Sequence, residues 1–387
     1  VSPAKSRTLR ALPTYPLAGF KERRLELEAK GVDVIDLGAG DADLAPPPAV
    51  VQAIRDAVGE PTMSRYPFQV GLPAFRQEIS GFMEKRFGVT VDPWTEVLPL
   101  IGSKEGIAHL PLAFLDSGDV GIVPDPGYQA YLGGTLLAGG EAWTVPLVPE
   151  HDFLVPLETL PAKVVERARI LFLNYPNNPT SASAPDSYFR QAIDFCREHD
   201  VVLVHDHAYS EIAFNGYRPP SVLEYDGARE VAIEFHSLSK TYNMTGWRLG
   251  WAVGNPALVA ALTQVKTFVD TGVFLAVQSA GVAALRSWDA WVPGNVAVFQ
   301  GRRDRAVGAL SAAGFEVSKP RATMYLWIPV PTGEPSRDFA RRCLDQEGVM
   351  VLPGAGLGDG GEGFFRVALT VPEARLEEAA ARLARVL

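Results

Sequence analysis

Cysteine is nearly missing: Cys196 and Cys343 are the two in 387 residues, each in a helix-like segment with no second cysteine nearby. That spacing excludes a disulfide framework and a cysteine-built zinc site, and leaves both as ordinary buried or half-buried thiols. No uninterrupted apolar run reaches membrane-spanning length, and Lys5, Arg7 and Arg10 are not followed by the apolar stretch of a secretory leader. Basic residues are in deficit, 36 against 45 acidic ones for a net charge of −9, which argues against a nucleic-acid or membrane partner. Repeats and low-complexity tracts are absent too. What remains is globular, 47% hydrophobic and 21% charged, and long enough for more than one packed unit. The expectation is a cytoplasmic protein that handles small molecules.

Proline punctuates the start of the chain. Pro3, Pro13 and the run Pro46-Pro47-Pro48 bracket a short amphipathic helix expected near Leu17 to Lys30, so residues 1–48 read as an arm and a joining segment. From 49 to 275, helical patterns alternate with short apolar runs at Val120–Val123, Ile170–Leu173, Val201–Val204, Val231–Phe235 and Leu249–Val253. Such alternation predicts an α/β fold, a sheet covered by helices on both faces. Residues 276–387 continue helical patterns through Ala313, then show strands near Tyr325–Val330 and Phe364–Leu369 and a closing helix from Pro372, a smaller α+β unit.

The densest chemistry lies in S-L-S-K-T-Y-N-M-T-G-W-R-L-G, Ser237 to Gly250. It places Lys240 just beyond an apolar β-branched run, at a strand end where doubly wound sheets bind ligands. Ser237 and Ser239 offer hydroxyls, Gly246 permits a tight turn, and Arg248 supplies a planar fork suited to phosphate. An unprotonated lysine in such a setting can form a Schiff base. The alternative is a surface lysine in a turn. The segment resembles the pyridoxal-phosphate lysine motif of class I/II aminotransferases, the fold-type I enzymes. That resemblance implies a mostly parallel mixed seven-stranded sheet in the larger domain, pyridoxal 5′-phosphate as cofactor and Lys240 as the catalytic residue that carries it.

Further segments match the same family. In N-Y-P-N-N-P-T-S, Asn174 to Ser181, the resemblance gives Asn178 to the cofactor's phenolic oxygen and to the substrate side, with Ser181 standing where glycine is usual. In D-H-A-Y it makes Asp206 the partner of the ring nitrogen and Tyr209 the donor to the phenolic oxygen. A carboxylate there favours the protonated ring and so a stronger electron sink. His205 and His207 alternate around Asp206 and could form a metal pair, but no third ligand stands at a motif spacing, and they read as hydrogen-bonded neighbours with no metal. I-G-S-K-E-G opens a helical pattern whose free N–H groups suit phosphate, a role the resemblance gives to Ser103 and Lys104. D-P-G-Y brings Tyr128 as the aromatic stacked on the cofactor ring. Arg366, in G-E-G-F-F-R-V, is the substrate-carboxylate arginine of the family, and Gly38 in I-D-L-G-A-G-D supplies backbone near that carboxylate. Gly356, Gly358 and Gly361 satisfy G-x-G-x-x-G, yet a strand pattern follows instead of a helix, so a dinucleotide loop is not indicated. R-Y-P-F-Q-V-G carries Tyr66, which in the family reaches the phosphate of the partner subunit and implies a homodimer.

The resemblance covers essentially the whole chain and is closest to LL-diaminopimelate aminotransferases, through Gly102–Phe114, His205–Phe214, Glu234–Arg248 and Pro353–Arg366. It implies amino-acid and 2-oxo-acid substrates, with LL-diaminopimelate formed from glutamate as the amino donor, which leaves as 2-oxoglutarate. Many relatives carry an acidic residue where this chain has Val70, which keeps an alanine, aspartate or methionine aminotransferase open. A carbon–sulfur β-lyase stays open as well, since the same carbanion can expel a β-leaving group. A cofactor-binding regulator is the alternative of another class, and the proline-interrupted first residues do not resemble its helix-turn-helix module.

Overall fold

The computed structural model describes residues 3–13, 19–331 and 333–387. Leu17 lies outside the described residues, and the expected N-terminal helix runs Phe20–Ala29. In chain order the strands are β1 (Ile35–Asp36), β2 (Val97–Leu100), β3 (Val120–Asp125), β4 (Glu141–Pro146), β5 (Ala168–Leu173), β6 (Val202–Asp206), β7 (Ala232–Ser237), β8 (Gly250–Gly254), β9 (Tyr325–Pro329), β10 (Val349–Met350), β11 (Leu352–Pro353) and β12 (Phe364–Ala368).

Seven of them form one sheet in the order β2-β8-β7-β6-β5-β3-β4. β7, β6, β5, β3 and β4 run parallel, whereas β8 is antiparallel to both β7 and β2. The parallel strands are rich in Val, Ile, Leu and Phe because both faces are covered. Leu100, Phe172, Phe235 and Leu262 pack one face, and Ile122, Leu171, Leu203 and Trp251 belong to the core on the other. β4 escapes the sequence reading because it is an edge strand: only Val145 of its six residues is buried, so no apolar run marks it. Since β5, β6 and β7 are adjacent and parallel, the loops after their C-terminal ends gather on one rim, the place where such sheets hold ligands.

A second core surrounds the small antiparallel sheet β11-β12-β9 and includes Phe299, Leu326, Ile328, Phe339 and Phe365. The helix Leu275–Arg286, just beyond the expected boundary at 275, gives Ala280, Ala284 and Leu285 to the larger core. The passage between cores therefore falls inside the long helix Trp288–Ala312, with Val292 in one and Phe299 in the other. β1 pairs in parallel with β10, and Leu37 bonds to both Met350 and Ala368, which seats residues 35–41 against the smaller sheet. No helix among the described residues is long and apolar enough to cross a membrane.

Candidate active site

Three neighbouring strand ends build the site. β6 ends on Asp206, β7 leads directly into the short helix Leu238–Thr241 that carries Lys240, and the loop after β5 carries Asn174 and Asn178. Asn174 braces this rim: its Nδ2 donates to the Asp206 carbonyl at 2.7 Å, and its Oδ1 accepts from the Asn178 backbone at 2.8 Å. Lys240 Nζ donates to the Gly40 carbonyl, so the N-terminal segment lies over the lysine.

Asp206 is buried. Its Oδ2 accepts a 2.8 Å bond from the Tyr131 hydroxyl, while Oδ1 has no hydrogen-bond partner. Burial pushes its carboxyl up to about 6, against the lowering effect of Tyr131. An unpartnered buried carboxylate oxygen is costly, and a protonated ring nitrogen would satisfy it. Tyr131 is a residue the motif reading did not single out. It comes three positions after Tyr128 on the helix Gln129–Leu137, stacks on Phe172 at 5.2 Å, and burial holds its phenol well above the usual range.

A second element of the site suits a phosphate. Gly102, at φ +72°, sits so close to Arg248 that a Cβ there would collide with the guanidinium. Next to it Ser103 starts the helix Ser103–His109, and the Lys104 ammonium lies 5.6 Å over the Tyr128 ring. Burial, then the Arg248 charge, lowers the Lys104 pKa. Neither cation has a carboxylate ion pair among the described residues. The Ser237 hydroxyl accepts from the Ser239 N–H at 3.1 Å, and Thr245 Oγ1 donates to the Ser239 carbonyl, so the two serines are held at the same rim.

On the facing side, Arg366 of β12 donates through Nη1 to Asn178 Oδ1 and through Nη2 to the Gly38 carbonyl, both at 2.7 Å. Its buried Nε has no partner, so donors remain for a carboxylate. The guanidinium lies 4.0 Å over the ring of Tyr325, whose hydroxyl is 3.0 Å from that of Tyr209. Tyr325 also went unmarked by the motifs.

Ser181, the departure from glycine, keeps the left-handed backbone at φ +60°. Its hydroxyl is 2.6 Å from Thr323 Oγ1 and donates to the Tyr325 carbonyl at 2.9 Å, which offsets the cost of that conformation. The Gly354–Gly361 loop seats on the D-P-G-Y turn, where Gly360 N–H donates to Asp125 Oδ1 and Gly127 N–H to the Leu357 carbonyl. These glycines thus fit close packing beside Tyr128.

Tyr66 is not brought to the site of its own chain. It is 67% exposed beside Phe68 at 68%, and the segment bonds through Gln69 N–H to the Thr271 carbonyl, near Phe268 at 88% exposure. His205 and His207 do share one side of their strand, with rings 4.6 Å apart, and with Glu234 their ligand atoms lie within 4.8 Å of one another. Glu234, the third potential ligand that no motif spacing revealed, is already engaged by His205, His236, Ser221 and the Val222 N–H. His205 is thus hydrogen-bonded as expected. His207 sits more loosely, its Nδ1 3.6 Å from Glu234 Oε2, and burial pushes its pKa down to about 3.

Residues 32–383 match the family described as aminotransferase class I and II. The LL-diaminopimelate aminotransferase of Nitratidesulfovibrio vulgaris is 50% identical over 379 residues, covering 98% of each chain. Among solved structures, BacF of Bacillus subtilis superimposes with a TM-score of 0.95 at 33% identity, over 100% of this chain and 98% of that one. A probable N-succinyldiaminopimelate aminotransferase from Thermus thermophilus gives 0.92 at 38% identity, over 96% and 100%.

Proposed function

The chain belongs to the class I and II aminotransferases, and from that premise we propose that its cofactor is pyridoxal phosphate and its substrate pair LL-diaminopimelate with 2-oxoglutarate. An aminotransferase moves an amino group between an amino acid and a 2-oxo acid. The observation that carries the cofactor assignment is Asp206, buried with one carboxylate oxygen unpartnered, on the strand beside the one that leads into Lys240. Arg248, Lys104, Ser103, Ser237 and Ser239 supply the phosphate cradle, Tyr128 the stacking face, and Asn178 and Tyr209 the polar contacts to the phenolic oxygen. Bound there, pyridoxal phosphate supplies a carbonyl for amines and a ring that accepts the electrons released when a substrate C–H bond breaks.

The protein's own groups do the rest. Asp206 keeps a proton on the ring nitrogen by placing its charge against it. Lys240 would carry the cofactor and, once an incoming amine has displaced it, its Nζ would take the proton from the substrate Cα and return it two atoms along, to the carbon beyond the amine nitrogen. Arg366 receives the α-carboxylate with its remaining donors while Asn178 and the Gly38 carbonyl hold its fork in place. Gly40 and its neighbours cover the lysine and exclude water.

In this reading the active unit is a homodimer in the cytoplasm, with Tyr66 completing the partner's phosphate cradle. The exposed Tyr66–Phe68 ring pair supports it, bonded through Gln69 to a segment that carries the exposed Phe268 and Phe274 on either side of Thr271, since exposed apolar side chains gathered in this way mark an association surface. Mixed dimers of Lys240→Ala and Tyr66→Phe chains are expected to hold one site with both defects and one with neither, and so to exceed both parents in activity. Failure to do so, once subunit exchange is demonstrated, would remove Tyr66 from the partner's site.

Substrate choice is tested by kcat/KM ratios for competing amino acids. LL-diaminopimelate has a distal ammonium and carboxylate, and a pocket built for such groups rejects analogues lacking them by roughly ten-thousand-fold or more. Val70 removes one partner for the ammonium, so turnover of LL-diaminopimelate is expected with discrimination below about that factor, and Val70→Glu should raise it. Turnover of alanine, aspartate or methionine without LL-diaminopimelate would overturn the substrate assignment. Release of pyruvate and ammonia alone would indicate the lyase.

A further inference from the structure

Two buried phenols meet where the smaller sheet reaches the site, and each has a single proton to give. Tyr209 follows β6 and Tyr325 opens β9, with hydroxyl oxygens 3.0 Å apart. The Arg366 guanidinium lies 4.0 Å over the Tyr325 ring. Gly40, whose carbonyl accepts from Lys240, approaches so closely that a Cβ at that position would overlap the Tyr325 hydroxyl. Tyr325 therefore touches the substrate clamp through its ring and abuts the segment that covers the lysine.

Its backbone is fixed with equal care. The Tyr325 N–H donates to Thr323 Oγ1 at 3.2 Å, and its carbonyl accepts from Ser181 Oγ at 2.9 Å. Ser181 and Thr323 both hold left-handed backbone, φ +60° and +75°, which a β-branched threonine adopts only at a cost. Two strained residues bonded to each other and to Tyr325 indicate that its place is over-determined by its surroundings.

The charged and titratable groups facing Tyr325 are Arg366, Lys240, Tyr209 and Asp41, and those facing Tyr209 are Tyr325, Arg366, Asp206 and Tyr131. Burial raises the Tyr325 phenol, but Arg366, Lys240 and the bond from Tyr209 outweigh it, and its pKa falls below the usual value. Burial, then Tyr325 itself, holds Tyr209 well above. Either hydroxyl can donate within that pair. One proton cannot serve two acceptors, so Tyr209 must withdraw from Tyr325 when it donates elsewhere.

We propose that Tyr325 is a positioning residue whose hydroxyl, once the cofactor is loaded, donates to the Tyr209 oxygen and strengthens the bond Tyr209 makes to the cofactor's phenolic oxygen. This rests on the pyridoxal-phosphate reading given above. Chained hydrogen bonds polarise one another, which is the physical basis of the strengthening. A substrate carboxylate on Arg366 neutralises the cation that favours a phenolate at Tyr325, so substrate binding firms up the donating form.

Tyr325→Phe keeps the ring under Arg366 and removes the hydroxyl. The pH at which the bound cofactor's visible absorbance titrates is expected to rise by about half a unit, because a less stabilised phenolic oxygen holds its proton more tightly. kcat should fall several-fold with KM little changed. Tyr209→Phe is the reference and should shift the titration further in the same direction. Movement in Tyr209→Phe but none in Tyr325→Phe overturns the proposal and leaves the cofactor reading standing. No movement in either overturns both. Should Tyr325→Phe not fold, 3-fluorotyrosine placed at 325 preserves the shape and makes a stronger donor. It should move the titration downward, and an unchanged titration overturns the proposal in the same way.

Discussion

Lys240→Ala is expected to bind pyridoxal phosphate without a covalent link and to lose transamination by at least about a thousand-fold. In the proposed reading one side chain both carries the cofactor and moves the Cα proton, and positioned acid–base groups alone contribute roughly 100- to 10,000-fold. The site offers no substitute. Lys104 lies over Tyr128, and Lys266 is fully buried in ion pairs with Glu105 and Asp270. Borohydride reduction of the wild-type holoenzyme followed by peptide mapping should label Lys240 alone. A label on Lys104 or Lys266 would overturn the assignment.

Asp206→Asn is the second, and it should separate stability from function. The substitution keeps an acceptor for the Tyr131 hydroxyl but deletes the charge. Turnover should fall roughly 100- to 1000-fold, the usual cost of removing one preorganised electrostatic partner. In the cofactor-free protein the effect on stability has the opposite sign. Folding lifts the Asp206 carboxyl from its ordinary value of 3.8 to about 6, so the folded state binds the proton more tightly than the unfolded one. Its contribution is present below pH about 4 and lost as pH rises to about 6, a penalty on the order of 3 kcal/mol at neutral pH. Cofactor-free Asp206→Asn should therefore melt a few degrees above cofactor-free wild type at pH 8 and show no such gain at pH 4. Equal melting temperatures at both values would mean that Asp206 carries no such burden.

The candidate site residues legible in the sequence are those that lie next to a strand end within one short segment: Lys240 after β7, Asp206 at the end of β6, and Asn178 after β5. Arg366 was legible for the same reason, within β12. Tyr131 and Tyr325 were not, because what makes them part of the site is a partner far away in the chain. Tyr131 meets Asp206 across 75 positions and Tyr325 meets Tyr209 across 116. The spacing of Tyr128 and Tyr131, one helical turn apart, was the available signal for the first. Glu234 was hidden for a related reason: on a strand buried on both faces, a carboxylate interrupts an apolar run and gives no hint that His205 on β6, His207 just after it and His236 on its own strand converge on it. β1 and β10 are two residues each and exist only as a pair, so neither has a local pattern to read.

That last pairing has a consequence for how the chain is made. Gly38 is held by Arg366 across 328 positions, and Ile35 finds its strand partner only when Val349 has been synthesised. At ribosomal rates of about 5 to 20 residues per second, the segment that covers the lysine waits roughly 15 to 65 seconds for its seat. Ile35 and Leu37, which end up almost wholly buried, spend that interval in water. The larger sheet can close meanwhile, so in the proposed reading a nascent chain can offer Lys240 and Asp206 to the cofactor before Arg366 is there to hold a substrate.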